Sequence, residues 1–446
     1  MHDTMGKSRP TPSPWDLADE IVERVRPPFI PEQDFHIAAY GAVGDGVFDC
    51  TAAITAAIAT ASEAGGGRVV VPPGVWLTGA VHLKSHVELH VAKDAVLRFS
   101  SAPEAYLPIV LTRHEGLELM NFSPFIYAYG QTDIAITGQG VLDGGAGPHA
   151  WWSWAPRFTP GPVEDRRLLG EMAEAGRPVS DRRFGLGRTI RPKFIQPYRC
   201  RNVLIEGLTI IASPMWVVHP VECENVLVRG LTITSHGPNN DGCNPESCRD
   251  VLIEDCVFDT GDDCIAIKSG RDADGRRLLK PTENVVIRDC HMLSGHGGVT
   301  LGSEITGGVS NVFVERCRMV GPYLQSALRF KNNAMRGGVL RNIHVRDITV
   351  EVVTQSVIVV DYNYQEGAQG PHVPVFDTFV AERVSCRQGP RALDLQGFEH
   401  APLKGIEIRD CRFDGILRDS IVRHAPDLRL ANISVNGASV TTATSA

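Results

Sequence analysis

A repeated segment of alternating polar and apolar residues limits the fold of this 446-residue chain more than any other feature. The copies read RCRNVLIEGLTI, ECENVLVRGLTI, SCRDVLIEDCVF, ENVVIRDCHM, SNVFVERCRM, RNIHVRDITV and KGIEIRDCRF. Their first apolar residues are spaced irregularly, 23 to 34 residues apart, at Val203, Val226, Val251, Val285, Val312 and Ile343. These spacings are typical of solenoid proteins, and the period-two alternation inside each copy excludes helical repeats.

Several short β runs in each repeat, with no room for helices, predict an all-β, right-handed parallel β-helix. Each coil would rest on the previous one at the inter-strand spacing of about 4.8 Å, so equivalent residues would stack. We therefore expect a ladder of side-chain amides at one turn and a buried row of thiols. The predicted ladder contains Asn202, Asn225, Asp250, Asn284, Asn311 and Asn342, and the predicted row contains Cys256, Cys290, Cys317 and Cys411.

The two ends of the chain are predicted to lie outside the β-helix, which spans residues 35–437. Residues 1–34 are Pro-rich and polar, which predicts an N-terminal arm with a short helix at WDLADEIVERV. The stretch TAAITAAIATASEAGGG predicts an α-helix at about residues 51–64 that caps the first coil, because a solenoid needs its open ends covered. Residues 438–446 are predicted to form a flexible tail.

Charge and cysteine usage exclude several classes of protein. The net charge of −8 argues against non-specific binding to nucleic acid or to anionic membranes. The 11 cysteines follow the repeat, which favours reduced thiols over disulfides or zinc ligands. We find no apolar stretch of about 18 residues and no apolar secretory segment near the start, so we expect a cytoplasmic protein, or a periplasmic or secreted one if a signal was removed. Nothing in the sequence indicates an oligomeric state.

Chemically active side chains recur at the period of the repeat. Asp241 precedes the adjacent Asp262 and Asp263 by 21 residues, His296 follows Asp262 by 34, and Arg329 follows His296 by 33. Each step is about one coil, so a stacked solenoid would place these residues in one column on its outer wall. Because clustered carboxylates do not all ionise easily, at least one pKa should be raised and its owner protonated near neutral pH. A protonated carboxyl beside an ionised one is the pair that glycosidic hydrolysis requires.

Lys331 lies two residues after Arg329, so both side chains would point to the same face of a strand. Two cations beside the carboxylates indicate a site for an anionic substrate, with no cofactor or metal expected. Each motif alone has another interpretation, because Asp-rich turns with Gly also bind Ca²⁺ or face solvent. The shared period of the residues favours catalysis.

These motifs resemble those of the polygalacturonases, glycoside hydrolase family 28. NNDG at Asn239–Gly242 is similar to the family's NTDG, and GDD at Gly261–Asp263 to its paired aspartates. GHG at Gly295–Gly297 is similar to its histidine motif, and RFK at Arg329–Lys331 to its RIK. The resemblance covers about residues 36–435, and the long forms of the motifs resemble those of bacterial exo-acting members.

The resemblance implies a pectin-degrading hydrolase that cleaves α-1,4-linked galacturonate with inversion, acts on chain ends and releases galacturonic acid. Asp262 would be the general acid, Asp241 and Asp263 would activate water, and His296 would position the acid. The implied substrate-binding residues are Arg329, Lys331, Asn239 and a tyrosine, which is Tyr364 from NYQEG, with Tyr362 as the alternative.

Other functions remain open at this point. They are hydrolysis of a rhamnogalacturonan or xylogalacturonan backbone, a Ca²⁺-dependent pectate lyase reaction on the same fold, and non-catalytic binding of pectin. Arg271, Arg276 and Arg277 follow the paired aspartates and are either solvent-exposed or bind a second uronate. The WWSW run at Trp151–Trp154, before an Arg-rich excursion over about 157–193, either closes one end of a groove or forms a hydrophobic patch.

The sequence departs from the family motifs without losing any proposed titratable group. Asn240 replaces the usual Thr, and Phe330 replaces Ile at a position that should face the core. Asn244 stands where many members carry a second Asp, a change expected to alter hydrogen bonding in that loop.

Overall fold

The chain winds into a parallel β-helix in a computed structural model that describes residues 13–155 and 163–441. Each coil contributes strands to three parallel sheets, here named A, B and C.

Sheet A contains Asp34–His36, Gly67–Val71, Val87–Val91, Thr132–Gly138, Arg201–Glu206, Glu224–Arg229, Arg249–Glu254, Thr282–Arg288, Val309–Glu315, the first parts of Val339–Val352 and Val375–Gln388, Ile406–Arg409 and Arg429–Ala431. Sheet B contains Asp45–Asp49, Gly74–Thr78, Ala95–Phe99, Val141–Asp143, Thr209–Ile211, Thr232–Ser235, Val257–Thr260, the first parts of His291–Leu301 and Arg318–Lys331, the last parts of Val339–Val352 and Val375–Gln388, Arg412–Phe413 and Ile433–Val435. Sheet C contains Val81–His82, Ile126–Tyr129, Ile195–Tyr198, Ile265–Ile267, the last parts of His291–Leu301 and Arg318–Lys331, Ser356–Asp361, Arg391–Gln396 and Ile421–Arg423.

Few segments leave this winding. The α-helices are Pro14–Arg24 (α1), Thr51–Glu63 (α2), Val163–Glu174 (α3) and Asp272–Leu278 (α4), and the short 3₁₀ helices are Ile37–Tyr40, Pro103–Tyr106, Trp151–Trp154 and Val179–Asp181. Val110–His114 and Leu117–Asn121 form an antiparallel hairpin. No helix within the described ranges is long and apolar enough to cross a membrane.

The register of sheet A confirms the alignment of the repeats. Val203 pairs with Val226, Val226 with Val251, and the same column continues through each later coil. These side chains are buried in the core, where they meet the inner residues of sheets B and C. The inner wall is therefore apolar at every coil, and polar residues at outer positions are free to carry chemistry.

The amide ladder forms as predicted. Asn311 donates to the side-chain oxygen of Asn284 at 2.8 Å and accepts from Asn342 at 2.6 Å, and all six members have a positive φ. Asn and Asp tolerate this left-handed conformation better than other residues that carry a side chain, which explains their recurrence. Between Asn225 and Asp250 the N-terminal arm joins the ladder, because Arg24 donates to Asp250 at 2.8 Å.

All 11 cysteines are free and buried, so the prediction of reduced thiols is confirmed. Cys256, Cys290 and Cys317 stack on successive coils, at the point where sheet A turns into sheet B. Small apolar thiols fill the stacked interior without strain.

The predicted cap is α2, which ends one residue before the predicted boundary. Its buried face, Ala53, Ile54, Ala57, Ile58 and Ala61, belongs to the main core and contacts the first strands of sheet A. The helix therefore shields the open N-terminal coil from water.

The N-terminal arm packs along the outside of sheet A. Its described part contains α1, whose Ala18 and Ile21 lie on the outward-facing Leu204, Leu227 and Leu252. Residues 1–12 lie outside the described ranges. At the other end Ala438–Val440 pairs with Ile433–Val435, so this part of the predicted tail is a strand, and residues 442–446 lie outside the described ranges.

The WWSW run packs as a hydrophobic cluster. Trp151 is buried with its ring centroid 5.4 Å from that of Tyr106 and 5.9 Å from that of Phe125, and Trp152 donates through Nε1 to the Ser213 carbonyl. Residues 156–162, the start of the Arg-rich excursion, lie outside the described ranges.

Candidate active site

The predicted residues lie on four successive coils, on the strands of sheet C or at the turns that lead into them. Asp241 precedes Cys243, which bridges to Ile265, and Ile265 pairs with Val299, which in turn pairs with Leu328. Asp262 and His296 stand at matching points, three residues before the paired Ile265 and Val299, and Arg329 lies on the next coil in register with Thr300. The prediction of vertical neighbours is therefore confirmed.

Three carboxylates form the centre of this column. Oxygen atoms of Asp241, Asp262 and Asp263 all lie within 4.8 Å of one another. Asp241 and Asp263 are buried, and the side chain of Asp262 is 18% exposed. Asp262 is thus the member of the triad that a substrate reaches most directly.

Glycines shape the turn that carries His296. A Cβ at Gly297 would lie 2.2 Å from the Thr300 hydroxyl and 3.0 Å from Oδ1 of Asp263. Thr300 donates to that same oxygen at 2.9 Å. The absence of a side chain at Gly297 therefore preserves a contact that holds Asp263 in place.

Two cations stand beside Asp263, as predicted from RFK. Lys331 Nζ donates to Oδ2 of Asp263 at 2.7 Å, and NH1 of Arg329 lies 4.0 Å from Oδ1. Burial acts to lower the pKa of Lys331, but Asp263 and Tyr364 together outweigh burial and raise that pKa. Lys331 is therefore charged at neutral pH. Between the two cations, Phe330 faces the core against Phe376 and Phe379, as expected.

Asp241 is the carboxyl of the triad whose pKa is raised. Its burial and the nearby charge of Asp262 raise the pKa of Asp241 well above the usual range, against the opposing charge of Lys268. Lys268 Nζ lies 3.8 Å from Oδ2 of Asp241 but only 2.8 Å from Glu304, so its charge is largely engaged elsewhere. Asn244 donates to Oδ2 of Asp241 at 2.8 Å, which is the altered loop hydrogen bond expected at that position.

Asp262 differs from Asp241 in its protonation. Burial acts to raise the pKa of Asp262, but the contact with His296, together with the charge of Lys331, lowers it to about 2. Nδ1 of His296 lies 2.9 Å from Oδ1 of Asp262, and this partner raises the pKa of His296. In the free protein Asp241 therefore keeps its proton to higher pH than Asp262 does, and Asp262 faces His296 as an ion pair.

Both remaining candidates for sugar contact line the same pocket of about 190 Å³. The ring of Tyr364 lies 5.3 Å from Lys331 Nζ and 5.9 Å from the Arg329 guanidinium, whereas Tyr362 is buried against Phe398. Asn239 borders the pocket and accepts from Arg191 at 2.7 Å.

Asn240, the neighbour of Asn239, is structural. It is buried, its oxygen accepts from the Ser235 hydroxyl and the Gly237 amide, and its nitrogen donates to the Met215 carbonyl. It holds the turn that presents Asp241.

Side chains from outside the coils form a wall that borders the pocket. Glu115, at the tip of the hairpin, pairs with Arg166 of α3 and lies 3.4 Å from Arg271. Arg277 donates to Glu118 at 2.6 Å, and Arg276 to the Met335 carbonyl at 3.1 Å.

The three arginines of this insertion therefore bind protein groups rather than lie free in solvent. Their partners fasten the hairpin, α3 and α4 to the β-helix.

The triad is also the group of described side chains best arranged to hold a metal ion, since each carboxylate offers one oxygen. Lys331 already contacts Asp263, and Lys268 lies near Asp241, so two lysine charges supply part of the compensation that a cation would bring. A hard cation would have to compete with both lysines.

Several residues of the pocket were missed in the sequence. Lys268 follows the paired aspartates in IAIKSG, and its outward position is detectable from the alternation of the strand. Glu304 ends the stretch SGHGGVTLGSE, which contains the GHG motif, but no equivalent residue recurs at the repeat period. The ring of Trp216 lies 4.4 Å from Lys268 Nζ and 4.8 Å from Lys193 Nζ. No pattern in the sequence pointed to this residue.

Known proteins are similar to this chain in both sequence and fold. Residues 182–415 match the family described as Glycosyl hydrolases family 28. A probable polygalacturonase of Vitis vinifera is 32% identical over 389 residues, which cover 82% of this chain and 71% of that protein. An exo-poly-alpha-D-galacturonosidase of Dickeya chrysanthemi is 26% identical over 74% of this chain and 57% of its own length.

The crystal structure of a hyperthermoactive exopolygalacturonase from Thermotoga maritima is similar with a TM-score of 0.92 and 44% identity, over 95% of this chain and 96% of that one. The matched region contains the carboxylate triad, His296, both cations and Tyr364. From the family match, the similarity along most of the chain and the shared fold, it follows that this protein belongs to glycosyl hydrolases family 28.

Proposed function

We propose that the protein hydrolyses α-1,4-linked galacturonate in pectic oligo- or polysaccharides and releases galacturonic acid from chain ends. The observation that carries this proposal is the carboxylate triad, with oxygens within 4.8 Å of one another, beside the paired cations Arg329 and Lys331. The triad supplies acid and base groups, and the cations suit the carboxylate of a uronate.

The leaving oxygen takes its proton from Asp262 in this proposal. In the free protein Lys331 is one of the groups that lower the pKa of Asp262. A substrate carboxylate that binds Lys331 and Arg329 offsets this charge and favours protonation of Asp262. His296 stands within hydrogen-bond distance to hand over the proton.

Water is held by the other two carboxylates. Both oxygens of Asp263 already have donors, Lys331 and Thr300, which makes this carboxylate a poor covalent nucleophile and a good anchor for water. The triad is tighter than the separation of about 6.5–9.5 Å usual for inverting pairs. We propose inversion nonetheless, and proton NMR of the first product decides: β-galacturonic acid means inversion, and the α anomer means retention.

Action at chain ends follows from the wall of Glu115, Arg166 and Arg271. The wall closes one side of the pocket, while sheet C continues past Arg329 along the later coils. One galacturonate residue would fill the closed side, and the rest of the chain would extend over Arg329.

Chromatography of the products of tetragalacturonate over time tests the proposal. Galacturonic acid and trigalacturonate as the only first products support it, and early digalacturonate contradicts the release of single residues from chain ends. If the protein hydrolyses rhamnogalacturonan or xylogalacturonan but not tetragalacturonate, its substrate is one of those backbones instead. An unsaturated product with ultraviolet absorbance that EDTA abolishes would indicate a lyase.

The variant Asp262→Asn distinguishes an enzyme from a protein that only binds pectin. We expect this variant to bind galacturonate oligomers but to lose about 10³-fold or more in kcat. Asp259→Asn is the matched control, since Asp259 lies on the adjoining strand of sheet B and pairs with the half-exposed His236. Full turnover by Asp262→Asn would remove Asp262 from the acid role.

A further inference from the structure

Sheet C carries a second recess on the coils that follow Arg329. It measures about 430 Å³, and its defining side chains are Arg329, Gln355, Asp361, Arg391, Asp394 and Arg418, here called the arginine groove. Asp394 pairs in register with Val359, which pairs with Arg329, so the groove continues the catalytic column. Arg391 stands two coils beyond Arg329 and three residues back along the strand, which places the two backbones about 14 Å apart at the usual strand dimensions.

Two arginines of the groove lack a carboxylate partner within the described residues. Neither Arg391 nor Arg418 forms an ion pair there, and Nε of Arg391 is buried without a hydrogen-bond partner among those residues. On the same part of the β-helix, Arg383 by contrast pairs with Asp347, and Arg409 pairs with Glu382. A buried guanidinium nitrogen without a partner is costly unless a ligand binds it.

The floor of the groove has the opposite charge. Asp361 and Asp394 face outward on neighbouring coils, and burial, with the nearby charge of Asp394, raises the pKa of Asp361. Gln396 donates to Asp394 at 2.8 Å. Carboxylates and amides suit sugar hydroxyls, whereas arginines suit a sugar carboxylate, so the mixture fits a hydroxylated acid better than a bare anion.

We propose that the arginine groove binds a further uronate of the same substrate chain, beyond the residue held by Arg329 and Lys331. This inference rests on the proposed function. The carboxylate of that uronate contacts Arg391 and Arg418, and its hydroxyls contact Asp394 and Gln396. Binding here favours long chains over the dimer, because digalacturonate ends before it reaches Arg391.

Rates on di-, tri- and tetragalacturonate test this assignment. In the wild-type protein kcat/KM should rise with chain length, and the rise should weaken with salt because it depends on ion pairs. Arg391→Gln should lower kcat/KM on tetragalacturonate roughly tenfold, through KM, and leave digalacturonate unchanged. Arg387→Gln, an exposed change on the same coil, should behave as the wild type.

The outcomes separate the two proposals. Turnover without any dependence on chain length, or an equal loss on dimer and tetramer in Arg391→Gln, overturns the arginine groove but not the proposed function. Absence of turnover on every galacturonide overturns the proposed function itself. If Arg391→Gln does not fold, as judged by circular dichroism, the exposed Arg418→Gln takes its place with the same expectations.

Discussion

Nδ1 of His296 lies 2.9 Å from Oδ1 of Asp262, and each partner favours the charged form of the other. His296 therefore stays protonated above the pH at which a free histidine loses its proton. We expect kcat/KM to fall on the alkaline side with an apparent pKa above 6.5, when His296 deprotonates and the ion pair is lost.

His296→Asn should lower kcat/KM about 100-fold and abolish that alkaline limb. His291→Asn, an exposed change on the same strand, should alter neither the rate nor the limb. Persistence of the limb in His296→Asn would show that a group other than His296 causes it.

Asp241→Asn should stabilise the protein at neutral pH while it removes activity. Because the pKa of Asp241 is raised in the folded state, the folded form prefers the proton, and wild-type stability falls as pH rises above about 4. Asparagine does not titrate. The thermal midpoint of the variant should match that of the wild type near pH 4 and exceed it by about 2 °C or more at pH 7. The exposed Asp255→Asn is the control, and a pH-independent difference would contradict the raised pKa of Asp241.

Lys331→Met should be far more destabilising than a comparable change at the surface. The substitution leaves the buried Asp263 without its partner at 2.7 Å, which costs about 3–5 kcal/mol. Arg383→Met removes a pair with Asp347 that is nearly half exposed, which costs about 1 kcal/mol or less.

Denaturant unfolding of both variants measures the difference. Lys331→Met with Asp263→Asn should recover part of the loss, since no buried charge then remains unpaired. Equal costs for Lys331→Met and Arg383→Met would contradict the idea that burial decides the strength of the Lys331 contact.

Two substitutions of Asn311 in the amide ladder distinguish the stability lost with its hydrogen bonds from the stability lost through backbone strain. Asn311→Ala loses the bonds to Asn284 and Asn342 and also places alanine at φ +57°, at a cost of about 2–4 kcal/mol. Asn311→Gly loses the same bonds without the conformational strain and should cost about 1 kcal/mol less. Unfolding free energies check the order, which would be contradicted if glycine were the worse substitution.

The sequence predicts most of the fold because the β-helix repeats its local pattern. The spacing of Val203, Val226 and Val251 is the register of sheet A itself, and the column of site residues follows from the same period. The packing of α1 was also detectable. Leu204 lies between two core residues in NVLIE, and three consecutive apolar residues predict a strand covered on both faces.

The rest of the site lies outside that periodicity. Glu115 and Arg166 come from insertions with no repeat, so only the folded chain brings them to the pocket. The protonation of the triad also needs distances. Adjacent aspartates predict one raised pKa, but the contact with His296 decides that Asp262 ionises first and Asp241 keeps the proton.

The carboxylates sit in the middle of the winding, and this placement insulates them from fraying at either terminus. Each coil touches only its neighbours, so loosening that begins at the C-terminal strand Ile433–Val435 must pass the coils of Arg391–Gln396 and Ser356–Asp361 before it disturbs Arg329. On warming, binding of the far end of a long substrate would weaken first, and catalytic turnover would be lost last.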